Sequence, residues 1–172
     1  MKLSRLLRTV LLAGIVVSTI GCDQATKHIA RAHLTGLPPL YFLGGSVRIA
    51  LARNDGGFLS IGSSLPAGAR TILFLIVVGV GLLIAAVYLV RASNLQFPTQ
   101  LCAWCVWAGG LSNLVDRILF EGRVTDFVVL GLGPVHTGVF NVADVAITAG
   151  AVCLILSISS QRPDALRRQA QH

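Results

Sequence analysis

Long apolar segments alternate with shorter polar connections along the whole chain. Four of these segments reach or approach the length of about 20 residues that a helix needs to cross a bilayer, namely Leu6–Gly21, Ile72–Val90, Pro98–Leu114 and Val139–Ser159. The pattern predicts an all-α membrane protein built from four transmembrane helices. Because no linker-like tract or internal repeat divides the sequence, we expect residues 1–172 to form one domain.

The first apolar segment has a second interpretation, because it is the shortest of the four and also has the pattern of a signal peptide. Its end, Thr19-Ile20-Gly21-Cys22, is close to a lipidation site. This alternative predicts a membrane lipoprotein or scaffold without enzymatic activity. We favour a retained helix, because Thr19 replaces the leucine usual at that position and three further apolar segments follow.

Composition supports the membrane assignment and restricts the partners. Hydrophobic residues make up 54% of the chain, charged residues make up 12%, and the mean hydropathy is +0.77. The net charge is +7, but the basic residues are dispersed between apolar segments and form no stripe with interleaved aromatic residues. We therefore exclude nucleic acid as a partner and assign these residues to membrane topology and to contacts with phospholipid headgroups.

The distribution of charge predicts an orientation in the bacterial inner membrane. Basic residues are dense before the first segment and after the fourth, which predicts that both termini are cytoplasmic. Six of the seven acidic residues then lie towards the periplasmic face: Asp23, Asp55, Asp116, Glu121, Asp126 and Asp144. A purely structural bundle has little use for this asymmetry, so it is the first indication of function.

Asp126 and Asp144 are the candidates for chemistry. Asp144 is expected about two turns inside the fourth segment, and Asn141, three residues earlier, shares its helix face. Asp126 lies in a β-prone stretch, Val124–Phe127, that could fold over the end of the bundle. Two adjacent carboxylates cannot both ionise easily, so one stays protonated. Such a pair can hydrolyse a peptide bond without a metal or another cofactor.

Other interpretations of these residues remain open. Asp144 can be a packing residue paired with Arg117 or Arg123, or it can relay protons in a small transporter. No repeat or pair of broken helices supports a transporter. Ser60, Ser112 and His136 lack the sequence context of a nucleophile and its base.

Polar clusters at the periplasmic side accompany the two aspartates. Asp23 and Lys27 are spaced for an ion pair on an interfacial helix, which as an exposed pair is worth only about 0.2 to 1 kcal/mol. Asn54 precedes Gly56, which predicts a turn whose backbone can approach a bound peptide. A further cluster lies at the end of the third segment and comprises Asn113, Asp116 and Arg117.

The four cysteines lie in or beside apolar segments. Cys102 and Cys105 have the spacing of a metal or redox pair, but no second ligand pair exists. We therefore assign the cysteines to packing and expect no metal.

Taken together, these clusters resemble lipoprotein signal peptidase, also called signal peptidase II, a family of membrane aspartyl proteases. The motifs that carry the resemblance follow the family order: Asp23-Gln24-x-Thr26-Lys27, Asn54-x-Gly56, Asn113-x-x-Asp116-Arg117, Val124-x-Asp126-Phe127 and Phe140-Asn141-x-Ala143-Asp144. The sequence departs from the family at Ser112, where glycine is usual, and at Gly57-Phe58-Leu59.

The resemblance implies four helices, a small periplasmic β-cradle and a short interfacial helix. It implies cleavage of diacylglyceryl-modified prolipoproteins just before the lipid-bearing cysteine, with Asp126 and Asp144 as the catalytic pair and no cofactor. The implied substrate-binding residues are Asn54, Gly56, Asn113, Arg117 and Asn141, and the implied positioning residues are Asp23, Lys27 and Asp116. We expect a monomer with its active site near the periplasmic face.

Overall fold

A computed structural model describes residues 4–57, 62, 64–92 and 95–169. Within these residues, four long helical rods pack beside a small antiparallel sheet. The helices are α1 (Arg5–Leu34), α2 (Ala67–Thr71), α3 (Val78–Arg91), α4 (Phe97–Leu119) and α5 (Val142–Gln169), and a π-helical segment, Ile72–Val77, joins α2 to α3. The strands are β1 (Leu40–Phe42), β2 (Val47–Asn54), β3 (Val124–Leu132) and β4 (Val135–His136).

The four rods correspond to the four predicted apolar segments. By length and composition, Arg5–Leu34 and Gly68–Arg91 are able to cross a membrane, and Val142–Ser157 is a shorter apolar helix. That all four rods cross the bilayer stays a prediction. Helix α1 runs unbroken through Asp23 and Lys27, so these residues do not lie on a separate interfacial helix as expected.

The distribution of polar and apolar residues is inverted relative to that of a soluble protein. Within the described residues, twelve polar or charged residues are buried, against eight apolar ones. Large apolar side chains instead cover the outside, for example Leu83 at 66%, Ile84 at 64% and Val90 at 72% exposure. Because a soluble protein rarely exposes such continuous apolar surface, the chain is an integral membrane protein.

Small residues bring α4 and α5 into close contact. A Cβ atom added at Gly109 would lie 2.6 Å from the carbonyl oxygen of Ala143, and one at Gly150 would lie 2.9 Å from that of Cys102. Glycine is thus required where the two helices pack most tightly. This contact fixes the first turn of α5 against the middle of α4.

The sheet holds the start of α5 beside β3. Its strand order is β1-β2-β3-β4, and β2 pairs with β3 so that Ala52 lies opposite Asp126. Phe140, just before α5, donates from its backbone N–H to the Val128 carbonyl at 2.8 Å. The chain between β3 and α5 is therefore folded back on β3. The predicted sheet thus lies over the end of the bundle.

Candidate active site

Asp126 on β3 and Asp144 on α5 are brought together, as the sequence predicted, and Asn141 bridges them. The Asn141 side-chain amide donates to Asp126 Oδ1 at 2.6 Å. Asn141 Oδ1 accepts from the Asp144 backbone N–H at 2.9 Å, and Asp144 Oδ2 accepts from the Asn141 backbone N–H at 3.2 Å. This reciprocal pair is a capping box at the start of α5.

The capping box corrects the predicted depth of Asp144. The apolar segment begins at Val139, so counting from there placed Asp144 about two turns inside the helix. Helix α5 instead begins at Val142, and Asp144 lies in its first turn. Because residues 139–141 precede the helix and Phe140 pairs with Val128 of β3, these residues do not contribute to the helix. Asp144 is consequently at the end of the bundle, under the sheet.

Two further asparagines complete the hydrogen bonds of the carboxylates. Asn113 on α4 donates to Asp144 Oδ1 at 3.0 Å, and Asn54 at the end of β2 donates to Asp126 Oδ2 at 2.9 Å. Every carboxylate oxygen of the pair therefore accepts a hydrogen bond. Asp126 and Asp144 are 1% and 8% exposed, so bulk water has little access to either.

Asp126 is held in an environment that favours its protonated form. Burial is the larger cause and the negative charge of Asp144 the smaller one; together they raise the pKa of Asp126 from 3.8 to about 6. The hydrogen bonds from Asn54 and Asn141 and the charge of Lys27 oppose the increase. A carboxyl group with such a pKa can hold and release a proton near neutral pH.

Lys27 lies at the centre of a buried charge network under this pair. Its ammonium group is 2.7 Å from Asp23 and 3.5 Å from Asp116, and it donates to Asn113 Oδ1 at 2.8 Å. The side chains of Lys27, Asp23 and Asp116 are completely buried. The expectation of an exposed surface pair is therefore wrong, because α1 continues past the predicted first segment and packs its polar turn against α4.

The two acids of this network hold the backbone next to the catalytic candidates. Asp23 accepts from the backbone N–H of Ala143, the residue before Asp144, at 2.8 Å. Asp116 accepts from the backbone N–H of Thr125, the residue before Asp126, at 2.8 Å. Each buried carboxylate thus fixes the element that carries one of the two aspartates, a relationship that the sequence does not reveal.

Ser112, one of the departures from the family pattern, belongs to the same network. Its hydroxyl donates to Asp23 Oδ2 at 2.7 Å and accepts from Gln24 at 3.0 Å, and the side chain is completely buried. Its hydroxyl proton is therefore held by a carboxylate of the network, which gives Ser112 a structural part there. His136 lies on β4 with its ring nitrogen near the Pro134 carbonyl. Ser60, Phe58 and Leu59 lie outside the described residues.

Arg117 connects α4 to the turn after β2. Its guanidinium donates to the Gly56 carbonyl at 2.6 Å and to the Asn113 carbonyl at 3.3 Å, and it lies 4.8 Å from the centre of the Phe74 ring. Asn54 Oδ1 accepts from the Gly56 backbone N–H at 2.9 Å, which closes the predicted turn. Within the described residues neither Arg117 nor Arg123 forms an ion pair with Asp144.

Arg31 also belongs to the charge network, although the sequence patterns above do not single it out. It donates to the Thr125 hydroxyl at 2.9 Å, lies 3.8 Å from Asp116, and is 4.4 Å from the centre of the Phe120 ring. Its spacing of four residues from Lys27 on one helix was a usable signal, since it places both cations on the same face.

Comparison with known proteins identifies this constellation. The family model described as "Signal peptidase (SPase) II" matches residues 15–160, which include every residue of the site described above. This chain belongs to the signal peptidase II family. The lipoprotein signal peptidase of Rhodococcus jostii (strain RHA1) is 34% identical over 164 residues, covering 91% of this chain and 75% of that protein. The one from Burkholderia vietnamiensis (strain G4 / LMG 22486) is 36% identical, covering 83% of each chain.

Solved structures support the same fold for this signal peptidase II family member. A bacterial membrane enzyme determined by the in meso method at 2.3 Å resolution superposes with a TM-score of 0.74 and 24% identity, covering 90% of each chain. A second such structure, at 1.9 Å resolution, gives a TM-score of 0.73. The arrangement of helical rods and sheet is thus an established membrane-enzyme fold, and the sequence resemblance to lipoprotein signal peptidase is confirmed.

Proposed function

We propose that this chain is an aspartyl endopeptidase that cleaves the signal peptide from diacylglyceryl-modified prolipoproteins, just before the lipid-bearing cysteine. Asp126 and Asp144 are the catalytic pair in this proposal. The observation that carries it is the bridge from Asn141 to both buried carboxylates, together with the elevated pKa of Asp126. The names of the relatives supply the substrate class.

The proposed reaction uses one proton shared by the two carboxyl groups. The ionised carboxylate takes a proton from water as the water oxygen attacks the scissile carbonyl carbon. The protonated carboxyl group donates its proton to the carbonyl oxygen, which gives a neutral tetrahedral diol. One hydroxyl proton then returns to the pair, and a proton passes to the amide nitrogen as the C–N bond breaks. The products are a new carboxylic acid and the free amine of the lipid-bearing cysteine.

The asparagines have different parts in this proposal. Asn113 and Asn141 are buried and their amides contact the carboxylates, which supports a role in holding the catalytic pair. Their predicted contact with substrate stays a prediction. Asn54, Gly56 and Arg117 form the side of the site where we place the substrate backbone. Arg117 supports this, because its buried Nε atom lacks a hydrogen-bond partner among the described residues.

An apolar rim on the sheet supports a lipid-modified substrate. Tyr41, Phe42 and Leu43, which follow one another at the end of β1, are 63%, 51% and 80% exposed. On β3 and β4, Leu132 and Val135 are 80% and 72% exposed. Side chains of this kind are stable in the membrane interface, where they can contact the acyl chains of a bound prolipoprotein.

We also propose that the chain is a single domain and a monomer, with all four rods crossing the inner membrane and with both termini cytoplasmic. The basic residues at the chain ends support this orientation. Reporter fusions at His172, outside the described residues, and within residues 34–45 should then report opposite sides of the membrane. A periplasmic carboxyl terminus would contradict the orientation.

The substrate class is tested with purified protein and two forms of one prolipoprotein that differ only in the diacylglyceryl group. We expect cleavage of the modified form alone, with a product whose mass corresponds to a chain starting at the lipidated cysteine. Equal cleavage of the unmodified form, or cleavage at another bond, would show that the proposed specificity is wrong.

A further inference from the structure

A groove lies at the opposite end of the bundle from Asp126 and Asp144. It has a volume of about 740 Å³ and lies between α1, α3 and α4. Its polar end is formed by Arg5 and Arg8, and its apolar walls include Leu12, Val16, Trp104 and Trp107. None of the residues proposed to take part in catalysis lines this groove.

The length of α1 places the two regions at opposite membrane surfaces. Asp23 lies eighteen positions after Arg5 on one continuous helix. At a rise of about 1.5 Å per residue the two residues are roughly 27 Å apart, close to the hydrocarbon thickness of about 30 Å. Arg5 and Arg8 therefore lie at the headgroup level of one leaflet when the charge network around Lys27 lies at the other.

The polar end of the groove is basic and preorganised. Arg8 donates from Nε to Gln100 Oε1 at 2.9 Å and from its terminal nitrogen to the Leu95 carbonyl, so its guanidinium is held in place. Arg5 is exposed beside it, and the lining includes no acidic residue. Two cations thus stand at the mouth of an otherwise largely apolar groove.

We propose that this groove binds an anionic glycerophospholipid, with its phosphate at Arg5 and Arg8 and an acyl chain along Leu12, Val16 and the two tryptophans. Arginine is suited to phosphate because its planar donors match the phosphate oxygens. The signal-peptide helix of a substrate is a poorer occupant, since its basic amino-terminal region would meet the two arginines. The lipid site is separate from peptide cleavage and does not depend on the proposed function.

Native mass spectrometry of the purified full-length protein tests this site. The protein is titrated with phosphatidylglycerol or with phosphatidylcholine that carries the same acyl chains. Each basic residue near an anionic headgroup strengthens binding about fivefold, so the double variant R5Q/R8Q should bind phosphatidylglycerol about 25-fold more weakly. Arg91→Gln is the matched control, because Arg91 follows the groove residue Val90 but does not line the groove.

A second pair of variants keeps every charge. Ala13→Trp fills the groove, whereas Ile84→Trp adds the same side chain to an exposed position outside it. We expect Ala13→Trp to lose phosphatidylglycerol binding and Ile84→Trp to retain it. The proposal would be overturned if the wild-type protein bound the two lipids equally, or if Ala13→Trp bound phosphatidylglycerol as tightly as the wild-type protein does. Crosslinking of a signal peptide instead of a lipid to a photoreactive residue at position 13 would also overturn it.

Discussion

Lys27→Met probes the buried charge network, because methionine keeps an unbranched side chain while it removes the ammonium group. Lys27 lies 2.7 Å from Asp23 and 3.5 Å from Asp116, and none of the three side chains is exposed. The substitution leaves two buried carboxylates without this cation. Arg31 remains near Asp116 at 3.8 Å, but it is 25% exposed and does not replace Lys27 beside Asp23.

The magnitude follows from burial. Removal of one partner from a buried ion pair costs about 3 to 5 kcal/mol in the free energy of unfolding, whereas an exposed pair contributes about 0.2 to 1 kcal/mol. Arg123→Met is the matched control, since Arg123 is 3.0 Å from Asp55 and the two side chains are 39% and 40% exposed. We therefore expect a loss of about 3 to 5 kcal/mol for Lys27→Met and less than about 1 kcal/mol for Arg123→Met.

Equilibrium unfolding in mixed detergent micelles measures both losses. Asp23→Asn combined with Lys27→Met should cost clearly less than the sum of the single changes, because the two groups interact directly. Cleavage should also slow in Lys27→Met at temperatures where it is folded, since Asn113 loses a donor that fixes its amide towards Asp144. A loss in Lys27→Met no larger than that of the control would refute this account of the network.

Three further predictions concern the catalytic pair and its support. Because the pKa of Asp126 is raised from 3.8 to about 6, protonated Asp126 stabilises the folded state below about pH 4, and this contribution is lost as the pH rises to about 6. The free energy of unfolding of the wild-type protein, minus that of Asp126→Asn, should therefore fall by about 3 kcal/mol between these two pH values. Asn141→Ala should lower kcat at least about tenfold with little change in KM, since Asn141 orients both carboxylates and the loss is one of positioning. Gly109→Ala should cost about 1 to 3 kcal/mol of stability by overpacking against Ala143, whereas Gly81→Ala, with no atom within 4 Å of the new Cβ, should be neutral or stabilising.

The bundle and the cooperation of Asn141 with Asp144 could be predicted because both depend on local patterns. Apolar runs of membrane-spanning length indicated the helical rods, and the Asn141 to Asp144 spacing indicated that these two residues cooperate. The spacing of three residues predicts a shared helix face, whereas in the structure the two residues form a capping box. The difference arises because the apolar run begins before the helix, at residues that pair with β3 through Phe140, and hydropathy alone does not separate an apolar non-helical stretch from the helix that follows it.

The charge network could be predicted only in part, because its contacts join distant parts of the chain. Asp23 and Lys27 are four residues apart in the sequence. Asp23 also accepts a hydrogen bond from the backbone N–H of Ala143, which is 120 residues away. Burial was the missing information. In a membrane protein, a charged residue beside an apolar segment avoids lipid by turning inward. Applied to Asp23, Lys27 and Arg31, that rule would have placed all three side chains towards the protein interior.

The most direct test of the central claim is cleavage of a diacylglyceryl-modified prolipoprotein by Asp126→Asn, Asp144→Asn and the double variant. An amide preserves the shape of each carboxyl group but cannot exchange the shared proton. We expect each single variant to lose about 10² to 10⁴ in rate while inserting normally, and the double variant to be little slower than either. Retention of more than about a tenth of wild-type cleavage by either single variant would contradict the assignment of Asp126 and Asp144 as the catalytic pair.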